Sequence, residues 1–237
     1  MRRFYTSQTL STGRSIVLDP NETRHLRDVL RMTVGEEVSV FDGRGDEFTA
    51  SIEVIGKNNS EVLVGREMVP TSPESDLDIT LAATMMSGER YDLVIQKAVE
   101  LGVSDLIPLH TLRCEVRLAD AGKRVDRWRR IALEATKQSG RARLMNIAEP
   151  REFADLVKIS AGAVLFSERD GAAFSGLQVG KRIAAFIGPK GGWDDSELQT
   201  ARDQNITVIT LGGRILRAET ASIAIVAILQ HRFGDLN

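Results

Sequence analysis

From Leu77 to the C-terminus, short apolar runs alternate with segments of helical periodicity, and this alternation limits the fold more than any other feature. Strands joined by helices run parallel, because each helix carries the chain back along the sheet before the next strand begins. Ile79–Ala83, Leu106–Leu109, Ala163–Phe166, Ile183–Ile187 and Ile206–Ile209 read as strands. Two of them are apolar at nearly every position, as expected where both faces are covered. Arg90–Leu101, stopped by Gly102, Val125–Gln138 and Phe153–Ile159 read as helices, and Asp194 with Glu197 carries the spacing of a helix cap. The last helix, about Glu219 to Arg232, is apolar almost all round through Ile223, Ile225, Val226, Ile228 and Leu229. Such a helix is buried on several sides, by its own domain or by a second subunit. The class is α/β.

Residues 1–69 are different in kind. Ser15–Leu18, Glu37–Phe41, Glu47–Ile55 and Ser60–Val64 have strand character, and Asp42-Gly43-Arg44-Gly45-Asp46 is a turn. One helix, Glu22–Arg31, sets Leu26, Val29 and Leu30 on one face and Arg24, Arg27 and Arg31 on another. A small β-barrel with one helix is the expected sum. Pro70 and Pro73 stiffen a connector over 70–76, which leaves 77–237 as the second domain.

The formal net charge of −2 argues against a nucleic-acid partner, but the positive charge is unusual in kind. Only seven of the 31 basic residues are lysine, so 24 are arginine. Arginine is the side chain that grips phosphate with a planar fork. Residues 113–143 hold ten basic residues against four acidic ones. That excess predicts a phosphate-backbone footprint through Arg113, Arg117, Arg127, Arg130, Arg141 and Arg143, with Arg24, Arg27 and Arg31 of the first domain. One cysteine, Cys114, and three histidines are too few for a disulfide or a structural metal site. The first eight residues lack a secretory apolar stretch, and no apolar run approaches the roughly 20 residues of a membrane span. A soluble cytoplasmic protein is expected.

The familiar nucleotide motifs are absent. Gly43-Arg44-Gly45 lacks a third glycine, and Gly176–Arg182 is one residue short of a phosphate loop and lacks its hydroxyl. Two glycine-rich loops remain, Phe186–Trp193 and Leu211–Ala221, each after an expected strand and before a helix. Ligands of open α/β sheets bind outside the carboxyl ends of strands, where glycine lets backbone approach closely. Spacing alone leaves the ligand unnamed.

Lys97-Ala98-Val99-Glu100-Leu101-Gly102-Val103, Gln138-Ser139-Gly140-Arg141, Ile187-Gly188-Pro189-Lys190-Gly191-Gly192 and Leu211-Gly212-Gly213-Arg214-Ile215-Leu216-Arg217-Ala218-Glu219-Thr220-Ala221 stand in one order. With His25-Leu26-Arg27-Asp28-Val29-Leu30-Arg31 before them, the whole chain resembles the RsmE family, the 16S ribosomal RNA uridine-N3 methyltransferases of the SPOUT class. The resemblance implies a PUA-like RNA-binding barrel over 1–69 and a methyltransferase domain with a deep trefoil knot over 77–237. It also implies a homodimer acting on the small ribosomal subunit, with S-adenosylmethionine as cofactor. Carried onto this chain, the cofactor contacts fall on Phe166 and on Ile187, Gly188, Pro189, Gly191 and Gly192 of the first loop. In the second loop they fall on Leu211, Gly212, Ile215, Leu216, Arg217, Thr220 and Ala221. Lys190 and Lys137 replace residues usually glutamate in the family, Cys114 replaces a serine and Ser87 a lysine.

Methylation at uridine N3 requires loss of the imide proton, and the resulting anion is favoured by fixed positive donors. No histidine or cysteine stands out as a base, so Arg217 and Arg141 are the candidate catalytic residues. A methyltransferase acting on another RNA nucleotide and a catalytically idle RNA-binding assembly factor are the alternatives.

Overall fold

The computed structural model describes residues 1–160 and 162–236, which fall into two compact units. Unit 1 comprises Met1–Glu74 and Thr136–Leu144; unit 2 comprises Ser75–Ala135 and the chain from Met145 onward.

Unit 1 holds β1 (Arg3–Tyr5), β2 (Ser15–Leu18), β3 (Glu37–Phe41), β4 (Glu47–Ile55) and β5 (Ser60–Met68) in one sheet of order β1-β3-β4-β5-β2. β1 runs parallel to β3, and the other pairs are antiparallel. Side chains from all five strands, among them Phe4, Ile16, Val40, Ile52 and Val62, meet in a single core. Helix α1 (Pro20–Arg24) starts where the Asp19 carboxylate accepts the Asn21 and Glu22 amides. The chain then widens into a π turn over His25–Val29, with the Leu30 amide donating to the His25 carbonyl at 2.9 Å. The wider turn shifts the helical phase of its later residues. Leu26 is buried as expected, but Val29, expected beside it, is 65% exposed. Helical structure expected to reach Arg31 ends at Val29, and Arg31 itself is left-handed, with φ of 53°.

Thr136–Leu144 joins unit 1 through arginine and lysine side chains and through isolated backbone bonds to Ser72 and Gly43, outside the named strands. The Arg3 guanidinium holds Glu47 with two bonds of 2.9 Å. It also donates to the carbonyls of Thr136, Lys137 and Arg141 at 3.1, 3.0 and 2.7 Å. Lys137 pairs with Glu22 at 2.8 Å and Arg141 with Glu74 at 2.6 Å. Lys137, a lysine where the family pattern has an acid, thus neutralises a buried carboxylate of its own unit.

Unit 2 carries a parallel sheet. Its strands are β6 (Asp78–Thr84), β7 (Asp105–His110), β8 (Asn146–Ile147), β9 (Arg151–Glu152), β10 (Val164–Phe166), β11 (Ala172–Ala173), β12 (Arg182–Ile187) and β13 (Thr207–Thr210). Their order is β11-β13-β10-β12-β6-β7-β8, with β9 also on β7. The helices are α2 (Glu89–Glu100), α3 (Leu118–Ala121), α4 (Val125–Ser139, whose last turn belongs to unit 1), α5 (Phe153–Leu156), α6 (Asp195–Asp203) and α7 (Ala218–Phe233). Because strand side chains alternate, one sheet feeds two cores. Ile79, Leu81, Ile183, Ala185 and Val164 pack with Tyr91, Val94, Trp128, Ile225 and Leu229. Ala82, Phe186 and Leu165 pack on the other face with Phe153, Leu156, Trp193 and Leu198. This is why these strands read as unbroken apolar runs. The expected α6 cap is present in full: Asp194 accepts the Ser196 amide, and Glu197 reaches back to the Asp194 amide.

Candidate functional site

The strand order creates a switch point. After β10 the chain forms the short edge strand β11, crosses to β12 on one side of β10, then returns to β13 on its other side, between β10 and β11. Loops leaving the carboxyl ends of these strands therefore diverge, which opens a crevice where open α/β sheets bind ligands. A cavity open to solvent on one side lies there. β10 supplies Phe166, with Ser167 and Glu168 after it. β12 supplies Ile187, with Gly188, Pro189, Gly192 and Trp193. β13 supplies Thr210, with Leu211, Gly212, Arg214 and Leu216, and α7 closes the cavity with Ala218, Ala221 and Ile225.

Two glycines are fixed by steric need. A Cβ on Gly188 would lie 2.7 Å from Trp193 Nε1, and Trp193 is itself buried and donates to the Phe166 carbonyl at 2.8 Å. Gly192 has φ of 70°, and its Cβ would lie 2.5 Å from Glu168 Oε1. The loop between them is clamped from outside by two arginines. Arg113 donates to the Gly191 carbonyl at 2.9 Å and to Asp194 at 3.0 Å. Arg169 reaches the Trp193 carbonyl at 3.3 Å and Asp195 at 2.8 Å. From below, the Thr84 hydroxyl donates to the Ile187 carbonyl at 2.9 Å.

Nine of the expected cofactor residues line this cavity: Phe166, Ile187, Gly188, Pro189, Gly192, Leu211, Gly212, Leu216 and Ala221. Gly191, Ile215, Arg217 and Thr220 do not. A Cβ on Gly191 would meet only the Arg113 side chain, no closer than 3.4 Å, and Ile215 is 86% exposed. Ser167, Glu168, Trp193, Thr210, Arg214, Ala218 and Ile225 also line it; of these, Trp193, Arg214 and Ala218 lie within the two glycine-rich loops of the sequence, and the others do not. Trp193 adjoins the glycines of its loop, which is a signal the sequence does carry; Ser167 and Glu168 come after a strand with no glycine to mark them.

The expected RNA-facing arginines divide into two groups. Arg24, Arg31, Arg117 and Arg143 are exposed, and their side chains make no hydrogen bond or ion pair among the described residues. The others have structural partners. Arg127 holds Asp92 with two bonds of 2.6 Å, Arg113 clamps the glycine loop and Arg130 bonds the Asp126 carbonyl. Arg27 holds Asp28 and the Gly56 and Lys57 carbonyls. Arg141 is 2% exposed and its guanidinium holds Glu74, so the structure corrects its expected exposure: it is buried. Among the other departures, Lys190 is exposed and the Ser87 hydroxyl donates to Glu115 at 2.8 Å. The Cys114 thiol donates to the Met85 and Val116 carbonyls at 3.3 Å, and burial pushes its pKa up. A serine hydroxyl would make the same donations. Among the described residues no cluster fit to hold a metal ion occurs, and no helix is long and apolar enough to cross a membrane.

A parallel α/β domain with a glycine-cradled cavity at its switch point defines the class, and the family model described as an RNA methyltransferase domain matches residues 73–230. A second model, an RNA methyltransferase PUA domain, matches residues 18–64. The chain belongs to the ribosomal RNA small subunit methyltransferase E family. A relative of that name from Rickettsia conorii is 30% identical, over 95% of this chain and 93% of its own. The crystal structure of ribosomal RNA small subunit methyltransferase E from Neisseria gonorrhoeae, bound to S-adenosylmethionine, is 35% identical. It covers 100% of both chains with a TM-score of 0.93. A methyltransferase structure from Legionella pneumophila, also with that cofactor, is 32% identical over 99% of both chains, with a TM-score of 0.92.

Proposed function

We propose that this chain transfers the methyl group of S-adenosylmethionine to N3 of a uridine in the 16S ribosomal RNA of the small subunit. The observation that carries the reading is the cavity at the switch point. It lies at the carboxyl ends of three neighbouring strands, its glycine positions leave backbone groups approachable, and most of its other lining residues are apolar. Gly188, Gly192, Leu211 and Leu216 would hold the cofactor, with Phe166, Ile187 and Ala221 against its apolar parts. Bound there, it supplies a methyl group already activated on a sulfonium. The chain's own task is to hold the uridine in line, exclude water and stabilise charge on O2 and O4 as N3 loses its proton. Arg217, exposed at the start of α7, is the arginine proposed for that charge, beside Arg214 of the cavity wall. Arg141, already bound to Glu74, acts by positioning its loop.

On the same reading, residues 1–69 bind RNA, 70–76 connect, and 77–237 carry the chemistry on a chain threaded into a deep trefoil knot. The exposed Arg24, Arg31, Arg117 and Arg143 meet RNA phosphates, and the protein works in the cytoplasm. It acts as a homodimer through α7. Ile225, Val226 and Leu229 of this helix are buried within unit 2, while Ile223 and Ile228 remain partly exposed. Sedimentation at micromolar concentration is expected to give twice the chain mass of 26.1 kDa; a 26.1 kDa species that still methylates small subunits overturns the dimer. Mass mapping of small-subunit RNA from a strain lacking the protein tests the activity. Loss of one N3-methyluridine supports it, and an unchanged map refutes it.

A further inference from the structure

We propose that unit 1 carries a subsite for one unpaired nucleotide of the RNA, its phosphate held by Arg44 and Arg143 and its base in the cavity beside Tyr5. The inference rests on RNA being the substrate. The turn Asp42–Asp46 does more than reverse the chain. The Asp42 carboxylate accepts the Arg44 and Asp46 amides at 2.7 and 3.3 Å, and Gly43 and Gly45 have φ of 77° and 125°. Those bonds and conformations fix the turn. The Leu144 amide donates to the Gly43 carbonyl at 2.9 Å, and Arg143 forms β-bridges with both Gly43 and Arg44.

That bridge sets two arginines distant in sequence directly opposite one another. Residues so paired have Cβ atoms about 4.5–5.5 Å apart, and like charges there repel. Both side chains are exposed, and neither makes an ion pair or hydrogen bond among the described residues. Their neighbours differ: Arg3 holds Glu47 and Arg141 holds Glu74. A pair of guanidinium forks on a rigid turn, with no carboxylate bound to either, fits a phosphodiester.

Tyr5 links the pair to a second feature. A Cβ on Gly43 would lie 3.0 Å from Tyr5 Cε2, so the ring packs on the turn. Tyr5 also lines an open cavity with Ser7, Gln8, Asn58 and Asn59; Asp19 lines it too, its carboxylate held by the Asn21 and Glu22 amides, and no cationic side chain does. Amides read base edges and aromatic rings stack on bases, but only where the base is unpaired.

The test uses the full chain, a fluorescein-labelled 12-nucleotide single-stranded RNA and the same sequence as a duplex, read by fluorescence anisotropy. The double variant Arg44→Gln, Arg143→Gln is expected to bind the single strand at least tenfold more weakly. Its plot of log affinity against log salt becomes shallower by about 0.7, for the one phosphate no longer neutralised. Its Tm rises or holds, because the repulsion is gone, and its S-adenosylmethionine affinity is unchanged. Asn58→Ala with Asn59→Ala weakens single-strand binding with the salt slope intact. Unchanged affinity and slope in the arginine variant overturn the subsite, as does wild type binding duplex as tightly as single strand. If wild type methylates small-subunit RNA while the variants match it, only the subsite fails. If wild type transfers no methyl group, the functional reading itself fails.

Discussion

Replacing Gly188 with alanine is expected to lower S-adenosylmethionine affinity by about tenfold to hundredfold and to lower Tm. The added Cβ would lie 2.7 Å from Nε1 and 2.9 Å from Cε2 of Trp193. That indole has little room to retreat, being 1% exposed and packed against Phe153 with ring centroids 5.0 Å apart. Moving it strains the bond from Nε1 to the Phe166 carbonyl, and both Trp193 and Phe166 line the cavity. Overpacking of this kind costs about 1–3 kcal/mol, and about 1.4 kcal/mol is tenfold in affinity. Calorimetric titration measures it, with Gly191→Ala as the control. A Cβ at Gly191 makes ordinary contact with Arg113, so the control is expected to bind near wild type. Wild-type affinity in Gly188→Ala would remove the first glycine loop from the cofactor site.

Arg3→Ala is expected to destabilise unit 1 by about 3–5 kcal/mol, the cost of leaving a buried charge without its partner. The Glu47 side chain is 2% exposed, and Arg3 gives it two hydrogen bonds. Three carbonyls of Thr136–Arg141 lose their donor in the same substitution. Against a typical domain stability of about 5–15 kcal/mol the loss is large. Arg3→Lys keeps the charge but not the fork, so an intermediate loss is expected. Chemical denaturation and limited proteolysis would measure both variants; a loss below about 1 kcal/mol for Arg3→Ala would show that the segment docks by other contacts.

The class of the fold is legible in the sequence, because hydrophobic periodicity is local. Ile183–Ile187 reads as a doubly covered strand from five consecutive residues, and Asp194 with Glu197 reads as a cap from four. The two glycine loops were legible for the same reason, since each lies within one short stretch after one strand. Periodicity failed where backbone geometry changed, as at Val29, which the π turn rotates outward.

Which residues from distant stretches meet is set by the packing of the folded chain. Nothing near Ser167 and Glu168 marks them as cavity walls; β10 does so by lying between β12 and β13. The order of strands also determines that Gly188 and Gly192 are the demanding positions, because Trp193 and Glu168 fold back against them. Arginine was the least legible residue of all. Composition showed an excess of guanidinium groups, but the same planar fork grips a carboxylate as readily as a phosphate and also donates to carbonyls. Arg141 therefore lies buried on Glu74, Arg127 is tied to Asp92, and Arg143 is left exposed opposite Arg44. A side chain several bonds long takes its role from whichever acceptor the fold brings within its reach, and that distance is a property of the packed chain alone.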